Sequence, residues 1–188
     1  MDLAALLGVR VVEIEQDMLS AQFDDQPFDE YLIERIHREL CAKLMPKFAG
    51  WRRINVMVGA HEPPDCALVP LVMREYMRDL SARIAHLPGI QSQGAEFDLR
   101  ILETLAFAEG RLLCIHPFAD FNGRATRLFL SFLLRRLDLP SMDLVPPRAH
   151  AEPYLTALSA ADNGELRPLM EVWRDRLVRL ALIDGGDA

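Results

Sequence analysis

No stretch of these 188 residues approaches the roughly 20 consecutive apolar residues that a membrane span requires, so a membrane partner is not expected. The N-terminus, MDLAALLGVRVVEIEQD, has no basic flank before its short apolar segment, which argues against a signal peptide. Cysteine is scarce. Cys41, Cys66 and Cys114 are an odd number without CxxC spacing, a pattern that speaks against a disulfide framework and against a structural zinc site. The expected location is the cytoplasm, where thiols stay reduced. Positive charge is also short, with 21 Lys and Arg against 28 Asp and Glu and a formal net charge of −7. Overall charge therefore disfavours nucleic acid as a partner, and any positive field must be local. Internal repeats and low-complexity segments are missing as well.

What is present is the composition of a globular chain, 51% hydrophobic and 26% charged. The length suits one domain, 1–188. Helical spacing of Tyr31, Leu32, Ile36, Leu40 and Leu44 predicts a helix from Phe28 to Leu44, with Asp29 and Glu30 at its positive end. Residues 51–59, WRRINVMVG, alternate as a strand would, and a second extended piece at Cys66 to Val69 would complete a hairpin-like flap. Pro70 fits the first turn of a helix over Leu71 to Ile84 that buries Leu71, Val72, Tyr76, Leu80 and Ile84. HLPGIQSQGA reads as a loop, and Asp98 as the cap of a helix from Leu99 to Leu112. Arg124 to Leu137 is apolar nearly all round and belongs in the centre of the domain. Helices over Glu152 to Leu158 and Leu166 to Ile183 complete a mainly α fold, and Gly185 and Gly186 end it.

The chemistry gathers in residues 116–127, HPFADFNGRATR. Pro117 pushes His116 out of the α region and into a loop. The helix that follows starts near Asn122, so its unpaired N–H groups point into that loop as an anion site. Gly123 lets a ligand come close to the backbone. Arg124 and Arg127, three apart on one helix face, can hold successive phosphates. Asp120 is a hard oxygen ligand suited to magnesium, and Asn122 can donate an amide hydrogen to phosphate. His116, titrating near neutrality, can take a proton from an attacking hydroxyl. Each residue alone has a plain structural explanation, but the ordered set describes in-line transfer of a phosphate-containing group. His61 beside Glu62 lacks HExxH spacing, Cys114 falls in an apolar run that marks it as core, and His37 reads as structural.

HPFADFNGRATR resembles the signature HPFxDGNGRxxR of the Fic (Fido) family. ERIHREL, WRRINVMVG, HEPP and LLRRLDLP extend the likeness over about residues 30–145, with C-terminal helices at 150–184 beyond it. The resemblance implies a compact Fic-type helical domain with a small β-hairpin flap, and a protein adenylyltransferase that moves AMP from ATP to a hydroxyl of a target protein. It implies His116 as base, Asp120 as the Mg2+ ligand, Asn122, Gly123, Arg124 and Arg127 as phosphate binders, and Phe118 as an anchor in the core. In the family the flap pairs with an extended stretch of the target; Asn55, Val56, Met57 and Val58 are its candidates here.

Two departures stand out. Phe121 occupies the glycine position of the anion hole, which leaves open UTP, a CDP-linked donor, phosphate transfer, or a disabled site that only binds a partner. The inhibitory pattern S/T-x-x-x-E-G/N has no match; its nearest string, Ser92 to Phe97, reads as coincidence in a loop. Restraint by a separate antitoxin-like protein, or none, remains open.

Overall fold

The computed structural model describes residues 3–19, 27–42, 45–87 and 95–184, and these carry seven α-helices and no strand longer than a single bridge. The helices are α1 (Leu3–Leu19), α2 (Glu30–Cys41), α3 (Val69–Ala85), α4 (Ala95–Ile115), α5 (Asn122–Arg136), α6 (Ala151–Asp162) and α7 (Arg167–Asp184).

Helix α5 is central because its sequence allows nothing else. Leu128, Phe129, Leu130, Phe132, Leu133 and Leu134 are all buried, covering most of its circumference. It packs against α1, α2 and α4. Helix α2 starts where Asp29 caps it, its carboxylate accepting the Leu32 N–H at 3.0 Å. Its buried face is Leu32, Ile33, Ile36, His37, Leu40 and Cys41, whereas Tyr31, expected inside, is exposed. In α3 the buried face is Val69, Met73, Tyr76, Met77 and Leu80, and Leu71 points outward, so the face is rotated from the expected one.

Helix α4 begins at Ala95, which places Asp98 inside it rather than at its cap; Ser92 and the rest of 88–94 lie outside the described residues, as do Leu44, Gly185 and Gly186. Helix α1 was not foreseen. Its residues Leu7, Val11 and Ile14, spaced four and three apart, meet the core, and Arg10 joins Glu39 of α2 at 2.9 Å.

On the other side of α4, Glu109 and Arg176 form a buried two-point ion pair at 2.7 and 3.3 Å, and Tyr154 donates its hydroxyl to Glu109 at 2.7 Å. This triad ties α4, α6 and α7 together. Beside it, a methyl group on Gly110 would stand 2.9 Å from Ala161 Cβ and 3.1 Å from Leu169 Cδ2. Only glycine lets these helices approach so closely.

The expected strands are not formed. Residues 51–61 hold two isolated antiparallel bridges, Trp51 to Phe118 and Val58 to His61. The tight turn around Gly59 is all that remains of the hairpin, with Val58 and His61 exchanging both backbone hydrogen bonds at 2.9 and 3.0 Å. Residues 66–68, expected extended, form a short 3-10 turn that runs directly into α3. Asp65 caps that turn, which explains why the alternation of 51–59 finds no partner strand.

Candidate active site

The loop between α4 and α5 carries the 116–121 segment, and it is built from the inside. Phe118 is 1% exposed and lies in a stack of three rings, with His37 at 3.7 Å and Trp51 at 5.2 Å between centroids. Asn122 closes the loop over it: its Oδ1 accepts the Phe118 N–H at 3.0 Å and its Nδ2 donates to the Phe118 carbonyl at 2.9 Å. Sequence reasoning expected this amide at a phosphate. The structure uses both ends of it internally, so its observed job is to hold the loop's curvature.

His37 supports the same loop from α2. Its Nε2–H donates to the Asp120 carbonyl at 3.1 Å and its Nδ1 accepts the Gly50 N–H at 3.3 Å. Fully buried, it is pushed down from 6.5 to about 4, because burial disfavours the charged ring more than the Asp120 carbonyl favours it.

Arg52, 3% exposed, is the residue that sequence reasoning passed over. Its Nε donates to the His116 carbonyl at 2.9 Å, Nη1 donates to the Ile54 carbonyl at 3.0 Å, and Nη2 donates to the Pro64 carbonyl. One guanidinium thus fixes the backbone of His116 relative to the 51–64 segment. The doublet Arg52–Arg53 was the only available signal, and nothing in it distinguishes a buried arginine from an exposed one.

His116 itself follows the last residue of α4 with φ +49°, in the left-handed region and so outside the right-handed α region that Pro117 disfavours. Its Nδ1–H points at the Leu113 carbonyl, 3.4 Å away, which leaves Nε2 as the lone-pair nitrogen. Burial holds the ring below its ordinary value; the Leu113 carbonyl works against this, and the charges of Arg52 and His61 work with it. A neutral imidazole at physiological pH is what a general base needs.

Phe121 takes the left-handed conformation, φ +60° and ψ +17°, as the residue preceding α5. Glycine would adopt it freely, whereas a side chain costs roughly 1–2 kcal/mol there. The ring turns aside into the protein. It is 8% exposed, meets the Phe48 ring edge-on at 6.2 Å and lies under the Arg124 guanidinium at 5.5 Å. Its N–H donates to Asp120 Oδ1 at 2.6 Å. The bulky residue therefore does not block the loop, but its N–H is committed to Asp120.

The N–H groups of Asn122, Gly123 and Arg124 have no backbone acceptor among the described residues, whereas Ala125 already donates to the Phe121 carbonyl. Arg127 folds back over this end, its Nη1 standing 3.5 Å from where a methyl group on Gly123 would be. It is half-buried, with no hydrogen bond or contact ion pair to any described residue, and the charges of Glu109 and Asp143 act on it from further off. A cleft of about 450 Å³ opens beside Arg124 and Arg127, walled by Gly8 and Val11 of α1 and by Asp143 to Val145. Asp120 is exposed, its carboxylate engaged at one oxygen only.

The flap residues lie on a separate segment. Met57 and Val58 are exposed and Val56 is half-buried; Asn55 is taken up locally, donating to Asp65 at 2.9 Å and accepting the Cys66 N–H at 2.7 Å. Residues 53–57 carry no backbone-to-backbone hydrogen bond among the described residues.

A helical core with an open helix N-terminus and two arginines lining one cleft beside it defines a class of anion-binding fold. The Fic/DOC family model matches residues 27–134, more than half of the chain, and the chain belongs to that family. It is 30% identical over 141 residues to "Protein adenylyltransferase Fic" of Culex quinquefasciatus, covering 74% of this chain and 26% of that protein. The protein of the same name from Drosophila melanogaster is 30% identical over 144 residues, covering 76% and 27%. The chain thus spans about a quarter of the length of these relatives. Among solved structures, the BepC effector protein of Bartonella tribocorum with bound AMPPNP superposes with a TM-score of 0.66 at 18% identity, covering 93% of this chain and 85% of that one. Fic-1 of C. elegans gives 0.65 at 23% identity, covering 95% and 50%. At these identities the two structures share the fold. No helix among the described residues is long and apolar enough to cross a membrane.

Proposed function

We propose that this chain transfers AMP from ATP to a hydroxyl side chain of a target protein. The observation that carries the reading is Arg127, a half-buried guanidinium with no contact ion pair among the described residues, lying over the open N–H groups of α5 and lining one cleft with Arg124. Burial disfavours this cation, and Glu109 and Asp143 offset that only from a distance, so a polyphosphate would complete it while also meeting the helix N-terminus. The relatives named protein adenylyltransferases, and the AMPPNP and ADP bound in solved Fic-domain proteins, make ATP the favoured donor.

Within this reading His116 Nε2 accepts the proton of the attacking target hydroxyl. The hydroxyl oxygen forms its bond to the α-phosphorus as the bond to pyrophosphate breaks, and Arg124 and Arg127 hold the departing phosphates. Asp120 fits a Mg2+ role, being an exposed carboxylate with one oxygen uncommitted next to the anion site. Bound there, the ion would neutralise phosphate charge. Residues 53–57, whose backbone groups other than the Ile54 carbonyl are open, and the exposed Ile54 and Met57 suit an extended target segment laid alongside. A different donor is favoured by one observation, the commitment of the Phe121 N–H to Asp120.

The experiment compares α-labelled with γ-labelled ATP in reactions with lysate, followed by intact mass of a modified target. AMP transfer labels protein from α-labelled ATP alone and adds the mass of AMP. His116→Ala should reduce labelling by about 10²–10⁴-fold, the usual size of a general-base contribution. Undiminished labelling in that variant would sink the mechanism, and a different added mass would rename the donor.

A further inference from the structure

Three ligand-type side chains from distant parts of the chain meet behind the 58–61 turn. His61 comes from that turn, Cys114 from the last turn of α4 and Asp162 from the end of α6, and their ligand atoms all lie within 4.8 Å of one another. His61 Nδ1 is 3.8 Å from the Asp162 carboxylate. The other ring nitrogen donates to the Cys114 carbonyl at 2.8 Å, so the lone pair is on Nδ1, the nitrogen that approaches the Asp162 carboxylate. That is the arrangement by which a backbone carbonyl orients a ligating imidazole.

We propose that His61, Cys114 and Asp162 form a site for a borderline-soft divalent ion of the zinc class, tying the 58–61 turn to α4 and α6. A nitrogen, a sulfur and an oxygen donor suit Zn2+ or Co2+ and not Mg2+. Bond lengths of about 2.0–2.3 Å put one nitrogen, one oxygen and one sulfur ligand roughly 3.3–3.6 Å apart in a tetrahedron, so closure needs movements of up to about 1.5 Å. The turn, held by its own two backbone bonds, can make that movement as a unit.

Without metal, burial first and the Asp162 charge second push the Cys114 thiol up, so the metal displaces a proton: S–H is lost, S–M forms, and one H+ is released. Arg111 Nη1, 3.8 Å from the sulfur, belongs to an exposed side chain that can turn to solvent. Spacing along the sequence gave no sign of this site because its three ligands are 53 and 48 residues apart in the chain. The site uses none of the residues assigned to AMP transfer and stands whether or not that reading holds.

The test titrates the metal-free protein with Co2+ and follows the thiolate-to-cobalt charge-transfer absorption, then repeats the binding with Zn2+ and reads Tm. The expected result is one ion per chain, a charge-transfer band lost in Cys114→Ser and kept in Cys41→Ser and Cys66→Ser, and a Tm rise with Zn2+ that Asp162→Asn abolishes. If Cys114→Ser lowers the helix content, His61→Asn and Asp162→Asn decide, each expected to weaken binding at least tenfold with the fold intact. Absence of the band, its survival in Cys114→Ser, or unchanged affinity in His61→Asn and Asp162→Asn overturns the proposal.

Discussion

Acid should weaken this protein through a histidine that performs no chemistry. His37 accepts the Gly50 N–H on Nδ1 and donates from Nε2 to the Asp120 carbonyl, so a second proton would break the Gly50 bond and leave a charge against Phe118. Its folded value of about 4 lies below the unfolded 6.5. The unfolded chain therefore takes up the proton first. Stability from this group is fully present above 6.5, is lost as pH falls from 6.5 toward 4, and levels off below that. At about 1.4 kcal/mol per decade the complete loss is about 3 kcal/mol, and about 2 kcal/mol is gone near pH 5.

The assay is equilibrium urea unfolding at about pH 7.5 and about pH 5, on the wild type and on His37→Gln. Glutamine offers a donor and an acceptor without titrating, while carboxylates and His116 remain in both proteins and cancel. The wild type should lose about 2 kcal/mol more than the variant between the two pH values. Equal losses would refute the reasoning.

Three other perturbations follow from the same contacts. Phe121→Ala keeps the strained left-handed backbone and loses the ring, whereas Phe121→Gly loses the ring and relieves the strain; unfolding should find glycine about 1–2 kcal/mol more stable than alanine, and the reverse order would show that φ +60° costs nothing. Arg52→Met strands the carbonyls of His116, Ile54 and Pro64, for a loss of about 3 kcal/mol or more and a lower transfer rate; an unchanged Tm would mean that water replaces the guanidinium without penalty. Glu109→Gln leaves Arg176 buried against a neutral partner and should cost about 3–5 kcal/mol by denaturant unfolding, with a loss below about 1 kcal/mol contradicting a buried pair.

The helices were legible because burial imposes a 3.6-residue period that survives without knowledge of neighbours. That period locates a helix better than it orients one, as Tyr31 and Leu71 show: both match a stripe, and both face solvent because α2 and α3 are turned by what they pack on. The alternation of 51–59 predicted a strand for the same local reason. A strand exists only with a partner, and Asp65 directs the would-be partner into a capped turn.

The sequence by itself determined the candidate set, since HPFADFNGRATR orders a histidine, a carboxylate, a helix start and two arginines within twelve residues, and local spacing decides which can share a helix end. Only the tertiary structure decided what each does there. It set Asn122 to closing the loop, gave Asp120 the Phe121 N–H, left Arg127 without a contact ion pair among the described residues, and brought in Arg52 and His37 from 64 and 83 residues away. Those outcomes depend on which polar groups become buried together, and burial is a property of the packed chain rather than of any segment of it.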